Sequence, residues 1–213
     1  MGSGRLIVAV SGGTSGIGRA IAAEGDARGW IMRVGDRLTG LDVRDESTIE
    51  AFFKFNVDAA VACAGISIDS LFVTMAPEQV RDVIDTNLNG AFLFARAAIR
   101  NGAGAILFIG SLNQLGAPAN AVYAASKAAL VGLIRAMTKE YPAVRTNLLV
   151  PGFVLTPMSE RLPEAVQERL RTAAAIGRGV ELSEVARAAA DLLLCPMHGR
   201  VVRVTGGLLD TPL

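Results

Sequence analysis

Eight residues, Ser11-Gly12-Gly13-Thr14-Ser15-Gly16-Ile17-Gly18, stand between an apolar β run at Leu6–Val10 and a helical stretch from Ile17 to Arg28. They restrict the fold more than any other segment. Glycines at such a turn permit positive φ and let backbone N–H groups approach a pyrophosphate at a helix N-terminus. A glycine-rich turn can also be no more than a tight strand-to-helix connection. Its strand–turn–helix context strengthens the dinucleotide reading. So does Asp36, which follows the second apolar run Ile31–Val34, 18 positions after Gly18. That is near the roughly 20-residue offset of an acid that binds adenosine ribose hydroxyls. A carboxylate there favours NAD, because it would repel the 2′-phosphate of NADP, while Arg37 keeps NADP open. As alternatives, Asp36 can be a turn residue or one half of a solvated pair with Arg37.

Strand and helix patterns alternate along the rest of the chain. Gly29 closes the first helix as its C′ residue. Glu46–Phe53 reads as a helix, Asp58–Cys63 as a strand, and Pro77–Ala98 as a long helix opened by proline. Ala105–Ile109 is a strand, Val122–Tyr141 a helix, and Arg145–Val150 a strand stopped by Pro151-Gly152. Ser159–Ala173 and Ser183–Leu194 read as helices and Val201–Val204 as the last strand. This alternation predicts an α/β fold: one doubly wound, Rossmann-type parallel sheet with helices on both faces, in a single domain over residues 1–213. Only five residues, Arg37 to Leu41, separate Asp36 from Asp42. A parallel crossover needs a dozen or more. The third strand is therefore expected to be vestigial, an extended return reached without a helix.

Composition narrows the function. The chain is 51% hydrophobic and 19% charged, which suits a sheet covered on both faces. A net charge of +1 gives no electrostatic case for nucleic acid or an anionic membrane. The uncharged run from Asn101 to Ser126 is long enough to span a bilayer, but Asn113, Gln114, Pro118 and Asn120 interrupt it. It reads as a buried strand, a loop and a helix start, so no membrane partner is expected. Cys63 and Cys195 lack metal-ligand spacing and read as reduced packing residues; the lone His198 reads as an exposed loop residue, and no metal is expected. No secretory signal opens the sequence, and a cytoplasmic location is expected.

Tyr123 and Lys127 carry the sharpest chemical signal. Four residues apart on a helix, they share a face. A phenol beside an ammonium has its proton made easier to remove, so the pair can work as an acid/base near neutral pH. An amphipathic helix with a solvated lysine gives the same spacing.

With these residues in order, the chain resembles the short-chain dehydrogenases/reductases over essentially its whole length. The family's Thr-Gly-x-x-x-Gly-x-Gly is similar to Ser11–Gly18, with Ser for Thr, and its adenine-contacting Asp-Val/Leu pair matches Asp42-Val43. Its Asn-Asn-Ala-Gly appears degraded as Ala62-Cys63-Ala64-Gly65, which removes side chains that steady the central sheet. Asn87, Ser111, the Tyr123–Lys127 motif and Pro151-Gly152-Phe153-Val154-Leu155-Thr156 match the remaining positions. Ser111 and Tyr123 are 12 apart, one fewer than is usual, which reads as a deletion within Leu112–Ala121.

The resemblance implies a catalytic set of Asn87, Ser111, Tyr123 and Lys127. Tyr123 would protonate a carbonyl oxygen. Lys127 would hold the nicotinamide ribose and lower the Tyr123 pKa. Ser111 would hold the substrate oxygen, and Asn87 a proton-relaying water. It implies cofactor contacts from Gly12, Ser15, Gly16, Ile17, Gly18, Asp36, Asp42, Val43, Ala64, Gly65, Pro151, Gly152, Val154 and Thr156, with Val154 and Thr156 at the carboxamide. Plain alternatives remain: Ser111 as a turn former, Asn87 as the partner of a helix irregularity, Thr156 as a turn residue, and Pro151-Gly152 as a strand stop. Leu112, Asn113, Gln114 and Phe153 are expected to line the substrate pocket. Leu155, Met158, Leu162, Val166 and Leu170 fit either a lid or an ordinary core-facing helix.

Three functions are carried forward. The first is an NAD(H)-dependent alcohol dehydrogenase or ketone reductase acting on a small carbonyl or alcohol. The second is a 3-oxoacyl-carrier-protein reductase using NADPH, with Arg96, Arg100, Arg161 and Arg169 as a docking patch. The third is a non-enzymatic nucleotide-binding regulator. The resemblance also implies a homo-oligomer, a tetramer or dimer, packed through Pro77–Ala98 and Val122–Tyr141, with Leu208-Leu209 able to join a further contact.

Overall fold

The computed structural model of the protein describes residues 5–208. Six parallel strands, β1 (Ile7–Ser11), β2 (Ile31–Gly35), β3 (Ala59–Ala62), β4 (Ala105–Ile109), β5 (Arg145–Pro151) and β6 (Val201–Val204), form one sheet in the order β2-β1-β3-β4-β5-β6. The α-helices are α1 (Gly16–Ala27), α2 (Glu46–Phe52), α3 (Pro77–Ile84), α4 (Gly90–Arg100), α5 (Ala121–Glu140), α6 (Glu164–Ala173) and α7 (Leu182–Leu194). Strands β3 and β4 are buried along their whole length, because helices cover both faces of the sheet. One face packs Phe53, Phe94, Leu130 and Ile134 from the side of α2, α4 and α5. The other packs Ile21, Val185, Ala189 and Leu193 from α1 and α7. Strand order reverses between β1 and β3, the switch point where open α/β sheets form their crevice.

The short edge follows from chain length. Asp36 caps a single 3-10 turn, Arg37–Thr39, and Gly40 takes φ +91 to reverse the chain. Leu41 and Val43 are buried but form no strand, so β2 is the sheet edge. The one 3-10 turn is all that stands where a covering helix was not expected.

Two helices differ from the sequence pattern. The stretch from Pro77 is interrupted by a π-helical turn at Asp85–Asn89 between α3 and α4. Such a turn widens the helix by one residue and is frequent at functional sites. The stretch from Ser159 breaks into a 3-10 turn, Ser159–Arg161, and α6. Pro163 is the cause: it disfavours helical geometry in the residue before it, and Leu162 sits at ψ 144.

The apolar run 101–126 resolves into β4, a 3-10 turn at Leu112–Leu115 and the start of α5. α5 is long and apolar enough to cross a membrane, but Leu130 and Ile134 on its inner face belong to the core over the sheet. His198 is not the exposed loop residue expected. It is half-buried, and its Nδ1 accepts from the Thr146 backbone N–H at 3.0 Å. Leu208 is buried against its own chain, which removes it from an intermolecular contact; Leu209 lies outside the described residues.

Candidate active site

The carboxyl ends of the strands open into a cleft of about 320 Å³. At one end the turn after β1 forms a cradle. Gly12 and Gly16 have φ +66 and +49, a region that favours glycine. A Cβ on Gly12 would lie 2.8 Å from the Ala64 Cα, so only glycine lets these two backbones meet. Ser15 is the N-cap of α1, yet its side chain caps nothing and the first turn carries no acid. The first N–H groups of α1 are thus left for a ligand, and a pyrophosphate fits this donor set. Ser11 Oγ accepts from the N–H groups of Cys63 and Ala64 at 3.2 and 3.3 Å. This bond joins β1 to the segment after β3 despite the loss of both family asparagines.

At the other end α5 brings Tyr123 and Lys127 to the cleft from one helical face. Lys127 is 4% exposed and donates through Nζ to the Ile109 carbonyl at 2.9 Å. Nζ lies 5.8 Å from the Tyr123 ring centroid. Burial draws the Lys127 ammonium down to about 8. The expected lowering of Tyr123 by Lys127 is not what the geometry produces. Burial pushes the phenol up, and the Ser111 hydroxyl offsets part of this by hydrogen bonding. Desolvation of a nearly enclosed phenol outweighs its neighbours here. Burial likewise pushes the Cys63 thiol to about 11, so it is neutral and unreactive near pH 7.

Asn87 occupies the π turn and is fully buried. Its Oδ1 accepts from the Ile66 N–H at 2.8 Å, and its Nδ2 donates to the Ile66 carbonyl at 2.9 Å and Ser126 Oγ at 3.0 Å. Through these bonds Asn87 fastens the segment after β3 to α5. A Cβ on Gly65 would lie 3.2 Å from Asn87 Oδ1 and 3.4 Å from Lys127 Nζ, so both groups flank that glycine.

Of the residues expected at the cofactor, Gly12, Ser15, Gly16, Ile17, Gly18, Ala64, Gly65, Pro151, Gly152, Val154 and Thr156 line the cleft, as do Ser111, Tyr123 and Lys127. Asp36, Asp42 and Val43 do not. Asp36 accepts from Leu38 N, Thr39 N and Thr14 Oγ1, which fixes it at the end of β2. Asp42 is paired with Arg44 at 2.7 Å, and Val43 is 5% exposed. Among the substrate-side expectations, Leu112, Asn113, Phe153, Met158, Leu162 and Leu170 reach the cleft, whereas Gln114, Leu155 and Val166 do not. The sequence reading missed Cys63, Ser67, Asp69, Asn120 and Ser159 as cleft residues. Ser159 Oγ accepts from the Thr156 N–H at 2.8 Å and so shapes the turn after β5. Cys63 stands inside the Ala62–Gly65 match; the others stand in no spacing that marks them, and long-range folding collects them.

Known proteins agree with this geometry. Residues 19–208 match the family model described as enoyl-(acyl carrier protein) reductase. The chain is 35% identical to human 3-oxoacyl-[acyl-carrier-protein] reductase, covering 95% of this chain and 97% of that protein. It is 32% identical to the reductase MabA of Mycobacterium tuberculosis, covering 94% and 92%. A solved small-chain dehydrogenase in complex with NADPH superposes with a TM-score of 0.87 at 26% identity, covering 96% and 99%. The glycine cradle, the Ser111–Tyr123–Lys127 constellation and these likenesses over the chain's length have one common source: the chain belongs to the short-chain dehydrogenase/reductase family and is a nicotinamide-dependent oxidoreductase.

Proposed function

We propose that the protein reduces the ketone of a 3-oxoacyl thioester to the 3-hydroxy product, with NADH favoured over NADPH. The observation that carries this reading is the joining of Ser111, Tyr123 and Lys127 to an apolar wall of Phe153, Met158, Leu162 and Leu170 in one cleft. The wall suits an acyl chain, and the curated relatives named as 3-oxoacyl-[acyl-carrier-protein] reductases support the substrate class. A bound nicotinamide supplies the hydride. Tyr123 donates its proton to the carbonyl oxygen, Ser111 donates a hydrogen bond to that oxygen, and Lys127 holds ribose hydroxyls. Asn87 keeps the segment at Gly65 in place.

Asp36 supports NADH, because a carboxylate at the end of β2 disfavours the 2′-phosphate of NADP. A second reading, NADPH, is favoured by exposed Arg37 beside it and by the solved neighbour that carries NADPH. Of the expected docking arginines, only Arg161 lines the cleft. Arg96 pairs with Glu46 and lies with Arg100 in a separate groove between α2 and α4, so these four residues form no continuous carrier patch.

The test is oxidation of NADH and NADPH, followed by absorbance, with acetoacetyl-coenzyme A and a simple cyclic ketone. Turnover of the thioester with NADH is expected. Reduction of the cyclic ketone alone would overturn the substrate class, and a strong NADPH preference would overturn the cofactor assignment. The same reading takes the protein as a cytoplasmic homotetramer or dimer joined through α3–α4 and α5. Phe92 is 45% exposed on α4, and Ala121, Ala125, Ala128 and Gly132 expose one face of α5.

A further inference from the structure

Asn120 is the N-cap residue of α5, three positions before Tyr123, and it is 7% exposed. An asparagine at this place ordinarily turns its side chain onto the free N–H groups of its own helix. Here it makes no such bond. Its Nδ2 donates to Ser67 Oγ at 2.9 Å and to Asp69 Oδ1 at 2.7 Å, both on the chain beyond β3. Its Oδ1 accepts from Asn113 Nδ2 at 3.4 Å, beyond β4. The Ser67 hydroxyl also donates to Asp69 Oδ1, at 3.3 Å, and Ser70 N donates to the Ala119 carbonyl at 2.8 Å. One buried amide thus ties two separate segments into a single polar wall, and Ser67, Asp69, Asn113 and Asn120 all line the cleft. This wall grows from the ends of β3 and β4, whereas the apolar wall of Phe153, Met158, Leu162 and Leu170 grows from the chain after β5. Ser111 and Tyr123 line the same cleft.

We infer that Asp69, held in place by Asn120, is a specificity-determining residue whose carboxylate accepts an amide N–H from the arm that carries the substrate's thioester. This deepens the 3-oxoacyl thioester reading and rests on it. Such a substrate has two unlike halves. On one side of the ketone is an apolar acyl chain; on the other, the thioester sulfur leads into a carrier arm built with amide groups. The two walls of the cleft match these halves. Asp69 Oδ1 is occupied by Asn120 and Ser67, but Oδ2 has no hydrogen-bond partner among the described residues, and Asp69 forms no ion pair there. An ionised carboxylate only accepts, so the open oxygen calls for a donor. Asp69 is exposed while it lines the cleft, which suits an arm that leaves the cleft toward its carrier. Asn120 is a positioning residue, since it acts on the arm through Asp69.

The test compares two acetoacetyl thioesters that differ only in the arm. The S-(2-acetamidoethyl) thioester carries one amide N–H; the S-pentyl thioester, of matched length, has none. Oxidation of the reduced cofactor is followed by absorbance. The parent should show the lower KM for the amide thioester. Asp69→Ala should raise that KM by about tenfold while kcat, and both constants for the S-pentyl thioester, change by less than about twofold. Asn120→Ala, or Asn120→Ser if the first does not fold, should move the ratio of the two KM values in the same direction. The double variant with Asp69→Ala should move it no further than Asp69→Ala alone. An unmoved KM in Asp69→Ala, or an equal loss on both thioesters, would overturn the inference, the second by marking a packing role. A parent that reduces both thioesters without preference overturns the role of Asp69 and leaves the substrate class standing. A parent that reduces the cyclic ketone but neither thioester overturns the substrate class and this inference with it.

Discussion

Tyr123 and Lys127 differ in what their burial does. The phenol is neutral when protonated, so burial favours the form that donates a proton to a carbonyl. Tyr123→Phe removes that proton and nothing else of the ring. Turnover should fall by about 10²–10⁴-fold while cofactor affinity, measured by calorimetry, stays near that of the parent. Lys127 is charged when protonated and, among the described residues, donates to the Ile109 carbonyl, so burial opposes its proton. Its pKa is about 8 in the fold against an ordinary 10.5. Between those values the unfolded chain binds the proton more, so stability contributed at this site rises with pH; below about 8 the full penalty of the buried ammonium is present. Lys127→Met should abolish activity and remove that rise. Urea midpoints of parent and variant at about pH 8 and about pH 10 measure it, and an undiminished rise in the variant would exclude Lys127 as its source.

At the scale of elements, the π turn at Asp85–Asn89 and the shortened edge each give a residue an unusual task. Asn87 completes the hydrogen bonds of both Ile66 backbone groups. Asn87→Ala would leave that N–H and C=O without their partner in a half-buried place. A loss of about 2–4 kcal/mol in urea unfolding is expected, together with weaker cofactor binding as the segment at Gly65 loosens. The edge offers Asp36 no third strand or covering helix to lean on. Three donors hold it instead, one of them Thr14 from the glycine turn, so the first and second strand ends are coupled through one carboxylate. Asp36→Ala should cost about 1 kcal/mol through loss of the cap and reduce the NADH-over-NADPH preference by about tenfold. Ratios of kcat/KM for the two cofactors check this, and an unchanged ratio would mean that Asp36 is purely a turn residue.

For the whole molecule, the exposed small-residue face of α5 and Phe92 on α4 give the expectation of a closed homo-oligomer. Sedimentation should give a dimer or tetramer, and Phe92→Arg should shift it toward monomer; a monomeric parent would refute the assembly. Much of the architecture is legible in the sequence. β4 and β6 fall on Ala105–Ile109 and Val201–Val204 as their apolar runs indicate, and the absent third strand follows from five residues being too few for a crossover. The cradle glycines and the Tyr123–Lys127 face are equally local, set by turn geometry and a 3.6-residue repeat. What no local rule contains is which distant groups meet. Asp42 and Val43 are motif matches, yet an ion pair with Arg44 and packing against Gly90 keep them out of the cleft. The π turn sets Asn87 against Ile66, 21 residues away, and Asn120 leaves its helix for Asp69, 51 residues away. The sequence alone determined the order of elements and the chemical groups at their ends, since these depend on neighbours a few residues apart. Tertiary structure decided the balance of burial and charge around the phenol, because desolvation and hydrogen bonding depend on segments brought together only by the folded sheet.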